Sequence, residues 1–479
     1  MALSVLDYAV IGVYLLTITI FGSWFARYQK TTRDYFLTDR TVPWWAICFT
    51  IVATETSTLT FIGIPATAYA GNMTFLQLAL GYIVGRLLVS LLFIPAYFRG
   101  ELFTSYELLQ RRFGTRVKTL AAVIFLITRS LADGIRLFTT ALVIAVVTGV
   151  PVTWVVVVLG AAMIVYTMRG GVSAVIWTDV VQMFVYLAGA AAVAIALLTQ
   201  IPGGWEEVVR VGRQTSRFTF LDPSFDLTRA YTLWAGVFGG VALTLSTHGT
   251  DQFLVQRLLS AQSARDASRG LVLSGFIVFA QFTLFLLIGV MLFAFYQHTP
   301  APAGITRTDQ ILPFFVVGHV PHGVAGFIIA AIVAAALSPS LNAMAATTVS
   351  DFYLPYVNPT ADQTTQMRVA KLATVGWGVV QLAVAVGAQL MERSVLDAGL
   401  AVLSFASGSV LGAFLLGTLA PRVKEGAVFW GMVTGLAVMT AVWWGTTVAF
   451  TWYVLIGSAT TCAVALLLTN FHRPAAARS

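Results

Sequence analysis

An all-α integral membrane protein is the fold class that this sequence predicts, and three observations lead to it. Thirteen apolar stretches succeed one another between Leu3 and Phe471, each near the ~20 residues a helix needs to cross ~30 Å of hydrocarbon. Composition agrees, with 58% of residues hydrophobic and 10% charged, where a soluble domain carries roughly a quarter of charged residues. Basic residues, finally, are dense in every second loop, the pattern of a chain that crosses a bilayer repeatedly.

Hydropathy places the helices at 5–26, 44–70, 74–98, 118–148, 151–168, 173–200, 231–254, 270–297, 312–348, 368–390, 395–420, 426–446 and 450–470. The first is expected to be retained, because Met1 to Asp7 lacks the basic region and small-residue cleavage site of a signal peptide. The second is interrupted: Ala53 to Thr60 holds six polar residues in eight, followed by Gly63 and Pro65. Unwound backbone at mid-bilayer depth is tolerated only in contact with protein or a cavity. A helix kinked by Gly and Pro, with hydroxyls bonded to the preceding turn, explains the Thr and Ser residues but leaves Glu55 unexplained. An intramembrane carboxylate is by default a functional residue.

The fourth helix carries Arg129, Asp133 and Arg136 on one face, so an internal ion pair is expected, with one arginine left over. Arg86 in the third helix reads as paired or snorkelling. The sixth opens on Trp177-Thr178-Asp179 with Gln182. The seventh repeats the interruption, with Gly239-Gly240 and then Ser246 to Gln252; two interrupted spans are a sequence pointer to a transporter's binding site. His248 there reads as a ligand contact, a proton carrier or a hydrogen-bonded interior histidine. The stretch 312–348 exceeds one simple span, and Pro313 and Pro321 mark its first part as an outer half-helix. A patch of Ser338, Pro339, Ser340 and Asn342 follows.

One set of loops holds 19 Lys and Arg residues and the other 6, which puts the N-terminus outside and the C-terminus in the cytoplasm. An odd number of spans requires the same. The net charge of +8 therefore belongs to cytoplasmic loops and not to a nucleic-acid site. Cys48 and Cys462 fall within apolar segments and read as packing residues. No Walker lysine motif, CxxC set, HExxH or nucleophile elbow is present, so neither an enzyme nor an ATP-driven pump is expected, and no cofactor.

Four motifs in order resemble the sodium:solute symporter family over nearly the whole chain. They are Ser57–Pro65 with Ala70-Gly71, Tyr166–Gln182, Gly249–Arg257 and Ser404–Gly417; Leu341-Asn342 and Asp351–Tyr353 add to them. The resemblance implies the leucine-transporter fold within one transporter domain, 1–479. It divides into an extra N-terminal helix (5–26), a first inverted repeat (44–200), an extracellular loop (201–230), a second repeat (231–420) and two C-terminal helices (426–470). The loop is an outer gate or a plain connector.

The resemblance also implies a main sodium site built on the carbonyls of Ala53 and Thr56, a ninth-helix carbonyl and two hydroxyls. Alanines, Ala335 and Ala336, stand at the hydroxyl positions here, a departure that weakens a hard-cation site. A second sodium site resembles Asp179 with Ser338. The expected function is ion-coupled symport of a small polar solute by alternating access. Sodium is the first coupling ion, through Ala53, Glu55, Thr56, Asp179 and Ser338, with proton symport through Glu55 or a sodium-independent uniporter as alternatives. Glu55, Ser57, Thr60, Gln77, Arg136, His248 and Ser404 are the substrate candidates, and Arg136 favours a carboxylate. A non-transporting sensor and a channel are the competing classes. The expected setting is a bacterial-type inner (plasma) membrane, with solute and lipid as partners and a monomer or weak oligomer as the working unit.

Overall fold

The computed structural model describes residues 3–25, 38–99, 102–301, 305, 307–334, 340–390 and 394–471. Their secondary structure is helical throughout, with one isolated bridge between Val42 and Ala261. Helices satisfy every backbone donor and acceptor within their own segment, which is what hydrocarbon demands. The helices are α1 (Val5–Phe25), α2 (Trp44–Glu55), α3 (Thr58–Ala70), α4 (Leu76–Leu92), α5 (Tyr106–Phe113), α6 (Thr115–Thr148) and α7 (Val152–Gln200). They continue as α8 (Gly204–Gln214), α9 (Gly240–Gly249), α10 (Gln252–Leu259), α11 (Ala264–His298), α12 (Ile311–His319), α13 (Val324–Ala334) and α14 (Leu341–Thr347). The last four are α15 (Gln363–Gly387), α16 (Val395–Leu419), α17 (Glu425–Gly445) and α18 (Tyr453–Phe471).

Among the described residues, nine helices are long and apolar enough to span a membrane, and the bent pair α2–α3 makes a tenth. The thirteen expected spans differ from that number because several are assembled from short pieces. The α9–α10 and α13–α14 segments each fall below spanning length singly. Conversely, 151–168 and 173–200 run on as one helix, α7, of 49 residues. At 1.5 Å per residue it is about 74 Å long, more than twice the ~30 Å of hydrocarbon, so it holds two apolar sections, Val152–Val165 and Val172–Gln200. The stretch 312–348 divides into α12, α13 and α14, with 335–339 outside the described residues. The segment 201–230 begins with a helix, α8.

Close backbone approach sets the core. A Cβ on Gly81 of α4 would lie 2.6 Å from Gly236 O and 2.8 Å from Gly240 Cα. On Gly289 of α11 it would lie 2.2 Å from Pro65 O of α3. Glycines at such crossings let helices pack through their backbones, as membrane interfaces favour. In this way α4 seats against α9, and α11 against α2 and α3.

Candidate functional site

The second span breaks where its polar residues cluster. α2 ends at Glu55, α3 starts at Thr58, and their axes bend by 61°. Ser57 N–H donates to Glu55 O (3.1 Å) and Thr60 N–H to Ser57 O (2.9 Å). The carbonyls of Ala53 and Thr56 thereby lose the donors that a continuous helix would supply. Hydroxyls tie the break down: Thr56 Oγ1 donates to Val52 O (2.8 Å), Thr58 Oγ1 to Ile332 O (2.8 Å) and Thr60 Oγ1 to Glu55 O (2.8 Å). Both expectations for this run hold together: the helix is interrupted, and several hydroxyls bond back to the previous turn.

The other interrupted span parts at Thr250 and Asp251, between α9 and α10. Asp251 Oδ1 accepts from Phe253 N–H (2.9 Å) and caps α10. Gly239-Gly240, expected as part of the break, instead lies where a π-helical turn, Ala235–Gly239, passes into α9.

The two breaks meet through side chains. His248 Nε2 lies 3.1 Å from Glu55 Oε1, and Arg86 of α4, fully buried, donates through Nη2 to Glu55 Oε2. Arg86 is thus the partner that accounts for an intramembrane carboxylate. On α6, Asp133 is shared: its Oδ1 is 3.7 Å from Arg129 Nη1 and 3.9 Å from Arg136 Nε, while Oδ2 accepts from the Ser340 hydroxyl. Arg129 also reaches the second break, with Nη2 2.5 Å from Asp251 Oδ2.

These groups surround a cavity of about 130 Å³. Glu55, Ser57, Thr60, Arg136 and His248 line it, as do Arg129, Thr244 and Thr247; Phe75, Tyr82, Phe253, Phe282 and several leucines supply its apolar surface. Polar contacts set in an apolar concavity are the usual form of a small-molecule site.

The structure does not bring Gln77 and Ser404 into that lining. Gln77 Nε2 donates to Thr74 O (3.2 Å) and Tyr231 O (2.9 Å), and its Oε1 accepts from Asp222 N–H (3.0 Å). Its amide therefore latches α4 to the segment after α8. Ser404 is bonded to Leu400 O at 2.7 Å, and Leu400 and Leu403 face the cavity in its place. Asp179 sits in a separate buried cluster, accepting from Thr50 Oγ1 (2.7 Å) and Arg257 Nη2 (3.1 Å). Ser338, Ala335 and Ala336 lie outside the described residues. Sequence reasoning missed Thr244 and the role of Arg86. A lone Thr in an apolar helix carries no signal, whereas a mid-helix arginine in a chain with one broken-helix glutamate does.

An outer layer covers this centre. Arg217 Nη1 bonds the carbonyls of Ala68, Tyr69 and Gly71 at the end of α3. Tyr231 packs against Phe75 with centroids 5.1 Å apart and ring planes inclined by 57°, and donates to Asp397 Oδ1 at 2.5 Å.

Comparison with known proteins is consistent in family and fold. The model of the sodium:solute symporter family matches residues 35–435. The sodium/sialic acid symporter of Proteus mirabilis is 30% identical, with 98% of this chain and 96% of the relative covered. The human sodium/iodide cotransporter is 31% identical over 90% of this chain and 68% of its own. A solved structure of a sodium-coupled sialic acid symporter in a substrate-bound, outward-open state superposes with a TM-score of 0.91 at 29% identity, covering 98% of this chain and 99% of that one. The chain therefore has the leucine-transporter fold and belongs to the sodium:solute symporter family, as a sodium-coupled carrier of a small organic solute and not an enzyme.

Proposed function

We propose that this carrier takes up a carboxylate-bearing polar solute together with sodium, by alternating access around the cavity between the two broken spans. The observation that supports this most directly is the pair of guanidiniums, Arg129 and Arg136, lining an otherwise largely apolar cavity. Both arginines share a face of α6 with Asp133 between them. A guanidinium lining the cavity can meet a solute carboxylate with two parallel hydrogen bonds. Ser57, Thr60, His248 and Glu55 then meet the polar remainder of the solute.

The relatives support an anionic cargo. Sialic acid and iodide differ in every respect but negative charge, and the two relatives named for them are almost equally similar to this chain. Overall identity therefore does not select the cargo. For sodium, the carbonyls of Ala53 and Thr56 are available at the break, and Asp179 Oδ1 is buried with no hydrogen-bond partner among the described residues. Ser338 completes this reading from sequence. The N-terminus faces outward and the C-terminus the cytoplasm of an inner membrane, on the strength of loop charge. A monomer or weak oligomer is the working unit in this reading.

The test is uptake of radiolabelled N-acetylneuraminate and smaller organic acids into proteoliposomes under an imposed inward sodium gradient, with a pH gradient imposed separately. Arg136→Ala is expected to abolish uptake of the acid. Normal transport of a neutral polyol by that variant would disprove the carboxylate reading. Glu55→Gln tests the coupling role of Glu55, which unchanged sodium dependence removes.

A further inference from the structure

Glu55 reaches the cavity with both carboxylate oxygens already accepting, one from Arg86 and the other from His248 Nε2 at 3.1 Å. A carboxylate offers about four lone-pair positions, so about half remain. Arg86 and His248 are buried beside it, His248 also bordering the cavity, while 13% of the Glu55 side chain is open. Thr244 lies one turn before His248 on the same face of α9 and lines the same cavity. It is 1% exposed, and its Oγ1 has no hydrogen-bond partner among the described residues. Gly85, next to Arg86, draws the two helices together there: a Cβ on it would lie 2.6 Å from Thr244 Cβ.

Spare acceptor positions on Glu55 and the idle hydroxyl of a residue that lines the same cavity match a group that donates and accepts at once. A hydroxyl does both, an ammonium only donates, and a methylene does neither. We propose that Glu55 and Thr244 form a hydroxyl-reading subsite, so that the cargo is a hydroxylated carboxylate of the sugar-acid type and not a plain carboxylate. This rests on the reading that Arg136 takes the carboxylate. Arg86 acts as a positioning residue that aims Glu55, and His248 supports Glu55 while lining the cavity itself. A methylene placed there leaves Thr244 Oγ1 without a partner and the spare acceptor positions of Glu55 desolvated, which weakens binding by roughly 10- to 100-fold.

Isothermal titration and ligand-induced thermal shift of the purified full-length protein in sodium chloride test this. The probes are gluconate against hexanoate, lactate against propionate, N-acetylneuraminate, and mannitol as a neutral polyol. Each hydroxy acid is expected to bind at least ~10-fold more tightly than its deoxy partner. Thr244→Val, isosteric and without the charge change that could unfold Glu55→Gln, should bring that ratio to near unity. Arg136→Ala should weaken both members of each pair alike. Hexanoate or propionate binding as well as its partner, or an unchanged ratio in Thr244→Val, overturns the subsite and leaves the carboxylate reading standing. Mannitol binding that survives Arg136→Ala but not Thr244→Val overturns the carboxylate reading and supports the subsite. Binding by none of the probes overturns both.

Discussion

Arg86 and Glu55 show how a membrane interior holds charge. Fully buried, the guanidinium keeps Nη2 on Glu55, while Nε and Nη1 have no hydrogen-bond partner among the described residues. A Cβ on Gly275 of α11 would stand 3.1 Å from Arg86 Cδ, so that glycine makes room for the side chain. Removing one member of a buried pair strands the other, at about 3–5 kcal/mol, whereas replacing both with apolar groups is often neutral. Arg86→Leu is therefore expected to lower the thermal unfolding temperature in detergent sharply, and Glu55→Gln combined with Arg86→Met to recover much of the loss. A double variant as unstable as the single one would show that the arginine acts through packing instead. The pairing partner of Arg86 was open in the sequence because the two residues stand 31 apart, and only the fold sets them face to face.

Among the elements, the broken spans were readable because their cause is local. A run of hydroxyls, a carboxylate, a glycine and a proline weaken helix continuity wherever they occur. The position of the second break was less readable, since Gly239-Gly240 looked as disruptive as Thr250-Asp251. The chain tolerates the glycine pair because Gly240 packs against the backbone of α4 and Gly239 against that of Thr451. Gly81→Ala should accordingly cost about 1–3 kcal/mol, read as a lowered melting temperature, since its new methyl would meet backbone atoms that cannot turn aside. Outside the candidate spans, α8 is held by Glu207, whose Oε1 is 2.5 Å from Arg210 Nη2 and 2.7 Å from His298 Nε2. Hydrogen bonds from Arg210 and then His298 keep the Glu207 carboxyl down at about 2, from an ordinary 4.5. A depressed acid stabilises the fold above its unfolded value and loses that contribution as the pH falls through the folded one. The stability difference between wild type and Glu207→Gln should hence narrow as pH falls from 4.5 towards 2, which thermal unfolding across that range would measure.

For the molecule as a whole, loop charge and ion coupling make separate predictions. In a background lacking Cys48 and Cys462, Ser224→Cys is expected to react with an impermeant maleimide applied from outside, and Thr364→Cys only after permeabilisation. The reverse labelling would invert the topology. If Ala335 and Ala336 stand where the resemblance puts the family's sodium-site hydroxyls, restoring an oxygen with Ala336→Ser should lower the sodium concentration that half-saturates uptake. No change would place the working sodium away from that position, with Asp179 the next residue to vary.

Hydropathy, loop charge and the interruption at Ala53–Thr60 were determined by the sequence alone, because lipid solvation and helix breakage act on each segment where it stands. From them follow a many-span helical carrier and the neighbourhood of its cavity. Tertiary structure decided which charges pair, that Gln77 latches an outer segment while Ser404 faces away, and that Thr244 is left with an unused hydroxyl. Those outcomes depend on distances between helices far apart in the chain, and such distances are set by backbone packing at glycines, which no single segment encodes.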